Sequence, residues 1–142
     1  MKAVIVTGDR HAEPDGWRTC IATELQISAG YDRLVVIHGA AKGIDSIADE
    51  VCGDYPSMAT VPMPARWDLY GNRAGPIRNE EMLLVLMKLQ NHGYTVSVLA
   101  FHDQIGESKG TKHMVNVALK VRVEVLRCLP FADRERITAV IA

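Results

Sequence analysis

The chain lacks an excess of charge of either sign: across 142 residues, 16 Lys and Arg stand against 17 Asp and Glu, for a formal net charge of −1. Proteins that track a phosphate backbone carry lysine and arginine in excess, so nucleic acid is not the expected partner, and bulk attraction to an anionic membrane is equally unsupported. Cysteine is scarce. Cys20, Cys52 and Cys128 are odd in number and isolated in apolar surroundings, which suits buried free thiols in a reducing compartment better than disulfides or a zinc site. No apolar run approaches the roughly 18 to 20 residues of a membrane span. The apolar start, Met1 to Val6, has the length of a strand and is too short for a signal peptide. The expected setting is cytoplasmic. Five histidines occur, without metal-ligand spacing such as HExxH, so no metal is expected; His38 and His92 read as structural. Neither GxGxxG nor a Walker A loop is present, which removes the two commonest nucleotide fingerprints.

What is present is an alternation of strand-length and helix-length patterns. Apolar runs at Ala3–Thr7, Leu34–His38, Met58–Pro62, Thr95–Phe101 and Arg122–Leu126 read as five buried strands. Between them fall four helical patterns. The first is N-capped by Asp15 with Trp17, Ile21 and Leu25 on one face; the second follows Gly43. The third starts near Pro76 and ends at Gly93, and the fourth spans Gly110–Lys120. Strict alternation predicts a three-layer α/β domain over residues 1–142, a mainly parallel five-stranded sheet with helices on both faces. In such sheets ligands bind outside the carboxyl ends of the strands. The tail from Asp133 to Ile141 is expected to be a short helix or a partner-binding segment.

The loops at those carboxyl ends hold the unusual residues. After the second strand, His38-Gly39-Ala40-Ala41-Lys42-Gly43-Ile44-Asp45 opens a helix whose apolar positions are Ile44, Ile47, Ala48 and Val51. Two glycines permit a tight turn, and a helix amino terminus is a natural seat for phosphate. Asp45 suits either a first-turn cap or an acceptor for a ribose, and on this reading Gly43→Val removes ligand binding with little loss of folded protein. After the first strand, Gly8 clears space while Asp9 and Arg10 offer charge; a solvated turn is the alternative. After the third, a long loop from Pro64 to Asn79 carries Trp67 and Tyr70 as flat surfaces for a base and Arg66, Arg73 and Arg78 as anion contacts. Arg78 and Asn79 are placed in the first turn of the third helix, beside Gly75. After the fourth strand, Gly106, Ser108, Gly110 and Thr111 form a second glycine-bearing corner. No acid–base pair can be assigned among Asp103, Glu107, Glu80 and Glu81.

Gly39-Ala40-Ala41-Lys42-Gly43-Ile44-Asp45, with Ala48, resembles the G-A-R-G-I/A-D segment of the SMF/DprA–LOG (SLOG) superfamily. Arg73-Ala74-Gly75-Pro76-Ile77-Arg78-Asn79, with Met82-Leu83, and the corner from Gly106 to Thr111, with Met114, resemble its small YspA/YpsA-like branch. The resemblance implies a Rossmann-like domain that binds a nucleotide or nucleotide-derived molecule, with no cofactor required, and admits a homodimer as in LOG relatives. It also admits a LOG-type phosphoribohydrolase, with Arg78 as the catalytic arginine of R-x-x-x-M, or a DprA-like binder of single-stranded DNA. Where LOG enzymes carry the glutamate of P-G-G-x-G-T-x-x-E, this chain has Met114. Glycosidic cleavage needs a carboxylate at its oxocarbenium-like transition state, so the sequence favours binding over hydrolysis.

Overall fold

The computed structural model describes residues 1–142. In chain order its elements are β1 (Lys2–Gly8), α1 (Pro14–Ala29), β2 (Leu34–His38), α2 (Ile44–Cys52), β3 (Met58–Pro62), α3 (Trp67–Tyr70), α4 (Ala74–Asn91), β4 (Thr95–Phe101), α5 (Lys109–Lys120), β5 (Val125–Arg127) and β6 (Glu135–Ile137). Short 3-10 turns lie at Gly71–Arg73 and Ile105–Glu107. One sheet holds all strands in the order β3-β2-β1-β4-β5-β6. Every pair is parallel except the antiparallel β5–β6 pair.

Ala3 to Val6 form an unbroken apolar run because β1 is covered on both faces. Side chains alternate across a strand, so Val4 and Val6 pack with Ile21, Leu25, Ile44 and Val51 of α1 and α2. Ala3 and Ile5 pack on the opposite face with Met82, Leu86, Met114 and Val115 of α4 and α5. Each fully buried leucine or isoleucine here contributes about 1.5–3 kcal/mol. The three layers and the mostly parallel sheet agree with the sequence reading. No helix is long and apolar enough to cross a membrane. Cys52 and Cys128 are buried, Cys20 is half-buried, and all three are unbridged.

Several expectations need correction. The sheet has six strands, not five, because the tail forms β6 rather than a helix. Arg134 pairs with Glu24 on α1, Arg136 pairs with Glu124, and Asn116 brackets the Ile141 backbone through two bonds of 2.8 Å. These partners are distant in sequence, and three strand residues are too few to show a period. The fifth strand starts at Val125 rather than Arg122. Arg122 has φ 62, and bonds from Arg122 N to Leu119 O and Val123 N to Ala118 O, each 3.0 Å, close α5 in a Schellman motif. α1 starts at Pro14, which puts Asp15 inside the first turn and not at the cap. α4 starts at Ala74, so the long loop is largely helical and Arg78 and Asn79 sit in the second turn.

Candidate functional site

β1 and β4 are neighbours, yet the chain leaves β1 toward β2 and β3 on one side and returns through β4 on the other. Crossovers therefore diverge at this point, and the crevice they open lies at the carboxyl ends of the strands. Its floor requires glycine at two positions. A Cβ on Gly8 would stand 2.5 Å from the Phe101 carbonyl oxygen and 2.6 Å from Ile44. Gly43 has φ +76, and a Cβ there would stand 2.2 Å from the Asp9 carbonyl oxygen. That carbonyl accepts from Ile44 N at 3.1 Å, and Asp9 N donates to Phe101 O at 3.1 Å. The loops after β1 and β2 are thereby one rigid unit. Gly43→Val breaks this unit, which corrects the expectation that the substitution spares the fold.

Within the second corner the amides point inward. Asp45 is buried, and its Oδ2 accepts from Gly39 N at 3.0 Å and Ala41 N at 3.3 Å. Ala40, in a left-handed conformation at φ 54, donates its N–H to His38 Nδ1 at 3.0 Å. Buried His38 reaches Asp49 of α2 through Nε2 at 2.8 Å. The amides of residues 39 to 41 are thus taken up by the corner's own side chains, and Asp45 braces the loop. Burial raises the Asp45 carboxyl above its ordinary value of 3.8, although the two amides, His38 and Arg78 pull against it.

Arg78 crosses this crevice. Its Nη1 donates to the Gly39 carbonyl oxygen and, at 3.4 Å, to that of Met63; its Nε donates to Asn79 Oδ1 at 3.1 Å. Nη2 carries no bond to the protein, and no carboxylate lies within ion-pair distance. Desolvation lowers its pKa; the Asp45 charge opposes that shift, while Arg10 adds to it. Exposed Arg10 thus lies near enough for its charge to act on Arg78, and it too forms no ion pair.

Asn79 is buried and fully bonded. Its Nδ2 donates to the Gly110 carbonyl oxygen at 3.2 Å and meets His113 Nδ1 at 3.1 Å. This ties α4 to the start of α5, where the Ser108 hydroxyl caps Thr111 N at 3.2 Å. Thr111 is 2% exposed. Its hydroxyl has no partner, and no fully enclosed side-chain polar atom lacks one, so that hydroxyl meets the surface at the helix start.

Gly8, Asp9, Arg10, Gly39, Ala40, Gly43, Asp45, Arg78, Asn79, Gly110 and Thr111 thus lie in or directly behind one crevice. Trp67 sits beside it, more than half exposed, with its ring edge 3.5 Å from where a Gly75 Cβ would stand. Gly75 precedes Arg78 and Asn79 by three and four residues, so the ring flanks their face of α4. Arg73 is exposed and unpaired. Gly106 faces the tail instead, its nearest neighbour being Ile141 at 3.8 Å from a built Cβ. It lines a separate depression of about 340 Å³ with Asp103, Arg127 and Glu135. A further depression of about 330 Å³ lies between α1 and α2 around Arg18 and Tyr55. His113 and the Met63 carbonyl escaped the sequence reading: the histidine's partner lies 34 residues away, and no periodicity reports a backbone acceptor.

The fold defines an α/β protein with a mostly parallel six-stranded sheet, with Arg10 and Arg78 in the segments that follow the carboxyl ends of its strands. Over 140 residues, covering 94% of this chain and 99% of the relative, the sequence is 34% identical to the Gene 61 protein of Mycobacterium phage D29. The chain belongs to the family of that phage protein. No family model matches it, and no solved structure does.

Proposed function

We propose that this protein is a SLOG-like, Rossmann-like module that binds a phosphate-bearing nucleotide or nucleotide derivative in a sensing or sequestering role. The observation that carries the reading is Arg78, half-buried at the crevice with a free Nη2, no carboxylate partner and Arg10 nearby. Arg10 and Arg78 are like charges, and the opposing charge on Arg78 is that of Asp45, already engaged by the Gly39 and Ala41 amides; an added anion relieves the pair further. The start of α5, with its partial positive charge and the Thr111 hydroxyl, supports the same polarity. Because the Gly39–Ala41 amides are engaged, the phosphate contacts fall to Arg10, Arg78 and the α5 start, while Trp67 flanks the base. The hydrolytic alternative is disfavoured by Met114, which is 0% exposed in the core between α5 and the sheet. A carboxylate at that position would not meet the crevice.

Thermal unfolding against AMP, ADP-ribose, NAD and cyclic nucleotides tests the proposal. A ligand at 100 times its Kd stabilises by about 2.7 kcal/mol. We expect stabilisation by at least one, lost in Arg78→Ala and weakened in Arg10→Ala; the exposed Arg10 serves as the variant that leaves the fold intact. No stabilisation by any compound overturns the proposal. Chromatographic release of free base establishes the hydrolytic reading instead.

A further inference from the structure

We infer that Asn79 and His113 form a positioning relay for Arg78, and that the Nε side of the guanidinium stays anchored to Asn79 only while His113 is neutral. Bond polarity fixes the relay. Arg78 Nε can only donate, so the Asn79 atom at 3.1 Å is its oxygen. The Gly110 carbonyl can only accept, so the Asn79 atom at 3.2 Å is its nitrogen. That nitrogen also faces His113 Nδ1 at 3.1 Å. Nδ1 must therefore accept, and the ring must carry its proton on Nε2. Protonation of Nδ1 would set two donors against each other, and turning the Asn79 amide over would only move the conflict to Arg78 Nε and Gly110 O. Asn79 is 4% exposed, so water does not relieve it.

The charged groups acting on His113 are Glu80 on α4, which favours the imidazolium, and Lys120 on α5, which opposes it; burial disfavours it most. Arg78 reaches it only through Asn79. The ring is therefore neutral near pH 7, and acidification below the ordinary histidine value of 6.5 switches the relay. The relay's consequence for binding rests on the function proposed above; its existence does not.

Side-chain NMR of the full chain separates the two. The Arg78 Nε–H resonance is followed from pH 7.5 to 4.5 together with the His113 ring signals, and phosphate affinity is titrated in parallel. We expect slow Nε–H exchange at pH 7.5. After correction for the intrinsic pH dependence of exchange, protection falls about tenfold or more on loss of this charge-assisted bond, with a midpoint coinciding with His113. Asn79→Ala removes the protection at every pH, and His113→Phe removes the transition. An Nε–H signal indifferent to His113 ionisation overturns the relay, even if phosphate binds. A relay that behaves as described beside a protein that binds no phosphate at any pH leaves the relay standing and counts against the proposed ligand class.

Discussion

The sharpest stability prediction concerns Gly43. Its φ of +76 lies where an L side chain is strained, at about 1–2 kcal/mol. A Cβ would stand 2.2 Å from Asp9 O and 2.6 Å from Arg10 C. Both are backbone atoms, so relief requires the loop to move, at about 1–3 kcal/mol for overpacking. Moving it stretches the 3.1 Å bond from Ile44 N to Asp9 O, a further loss of about 0.5–1.5 kcal/mol. Gly43→Ala should therefore lose roughly 2.5–6.5 kcal/mol, a large share of the about 5–15 kcal/mol that holds a typical domain. At this chain length that is a fall in Tm on the order of 10 °C. Gly110→Ala is the matched control, because nothing lies within 4 Å of a Cβ there and alanine favours a helix by about 0.5–1 kcal/mol. Urea unfolding followed by far-UV circular dichroism measures both. A Gly43→Ala protein within about 1 kcal/mol of the parent, a difference small against that estimate, refutes the claim that the two loops form one rigid unit.

Two further substitutions probe the buried groups around the crevice. Asp45 has a carboxyl raised by burial, so in the window above 3.8 the folded state holds more protons than the unfolded one and stability falls as pH rises. Asp45→Asn removes that dependence; the difference in unfolding free energy, variant minus parent, should climb with pH from about 4 upward and then level, and a flat difference contradicts the assignment. Met114 is fully buried against the sheet. Met114→Glu places an unpaired carboxyl in the core and should lose more than about 4 kcal/mol without releasing base from AMP. A folded, hydrolytic Met114→Glu protein would show that this position reaches the crevice.

The strands were legible because parallel pairing buries them on both faces, leaving runs such as Ala3–Val6 and Leu34–His38 with almost no polar interruption. Helix interiors were legible from stripes such as Ile44, Ile47, Ala48 and Val51. The ends were less so. α4 starts two residues before Pro76, inside a segment whose glycines and arginines read as loop, because Gly71–Arg73 already turns in 3-10 geometry. β6 was missed since its hold depends on Glu24, Asn116 and Glu124, contacts made only after the chain folds. Gly8, Gly39, Gly43, Asp45, Arg78 and Asn79 were picked out by residue type and do converge. Which of them face outward was not legible, because that depends on bond polarity across three loops.

This bears on what kind of anion seat the proposed function requires. A glycine corner that presents backbone amides is neutral and grips phosphate through dipoles at fixed positions. Here the amides of Gly39 and Ala41 hold Asp45 and that of Ala40 holds His38, so the glycines serve loop closure and the formal charge comes from side chains. Such a seat depends on how each guanidinium is aimed. For Arg78 the aim is set by the Gly39 and Met63 carbonyls on one side and by Asn79 on the other. Affinity built this way responds to salt, since exposed Arg10 is screened over about 8–10 Å at ordinary ionic strength, whereas half-buried Arg78 is screened less. Specificity for phosphate should then rest on Arg78 and its supports, and Arg10 should contribute mainly attraction.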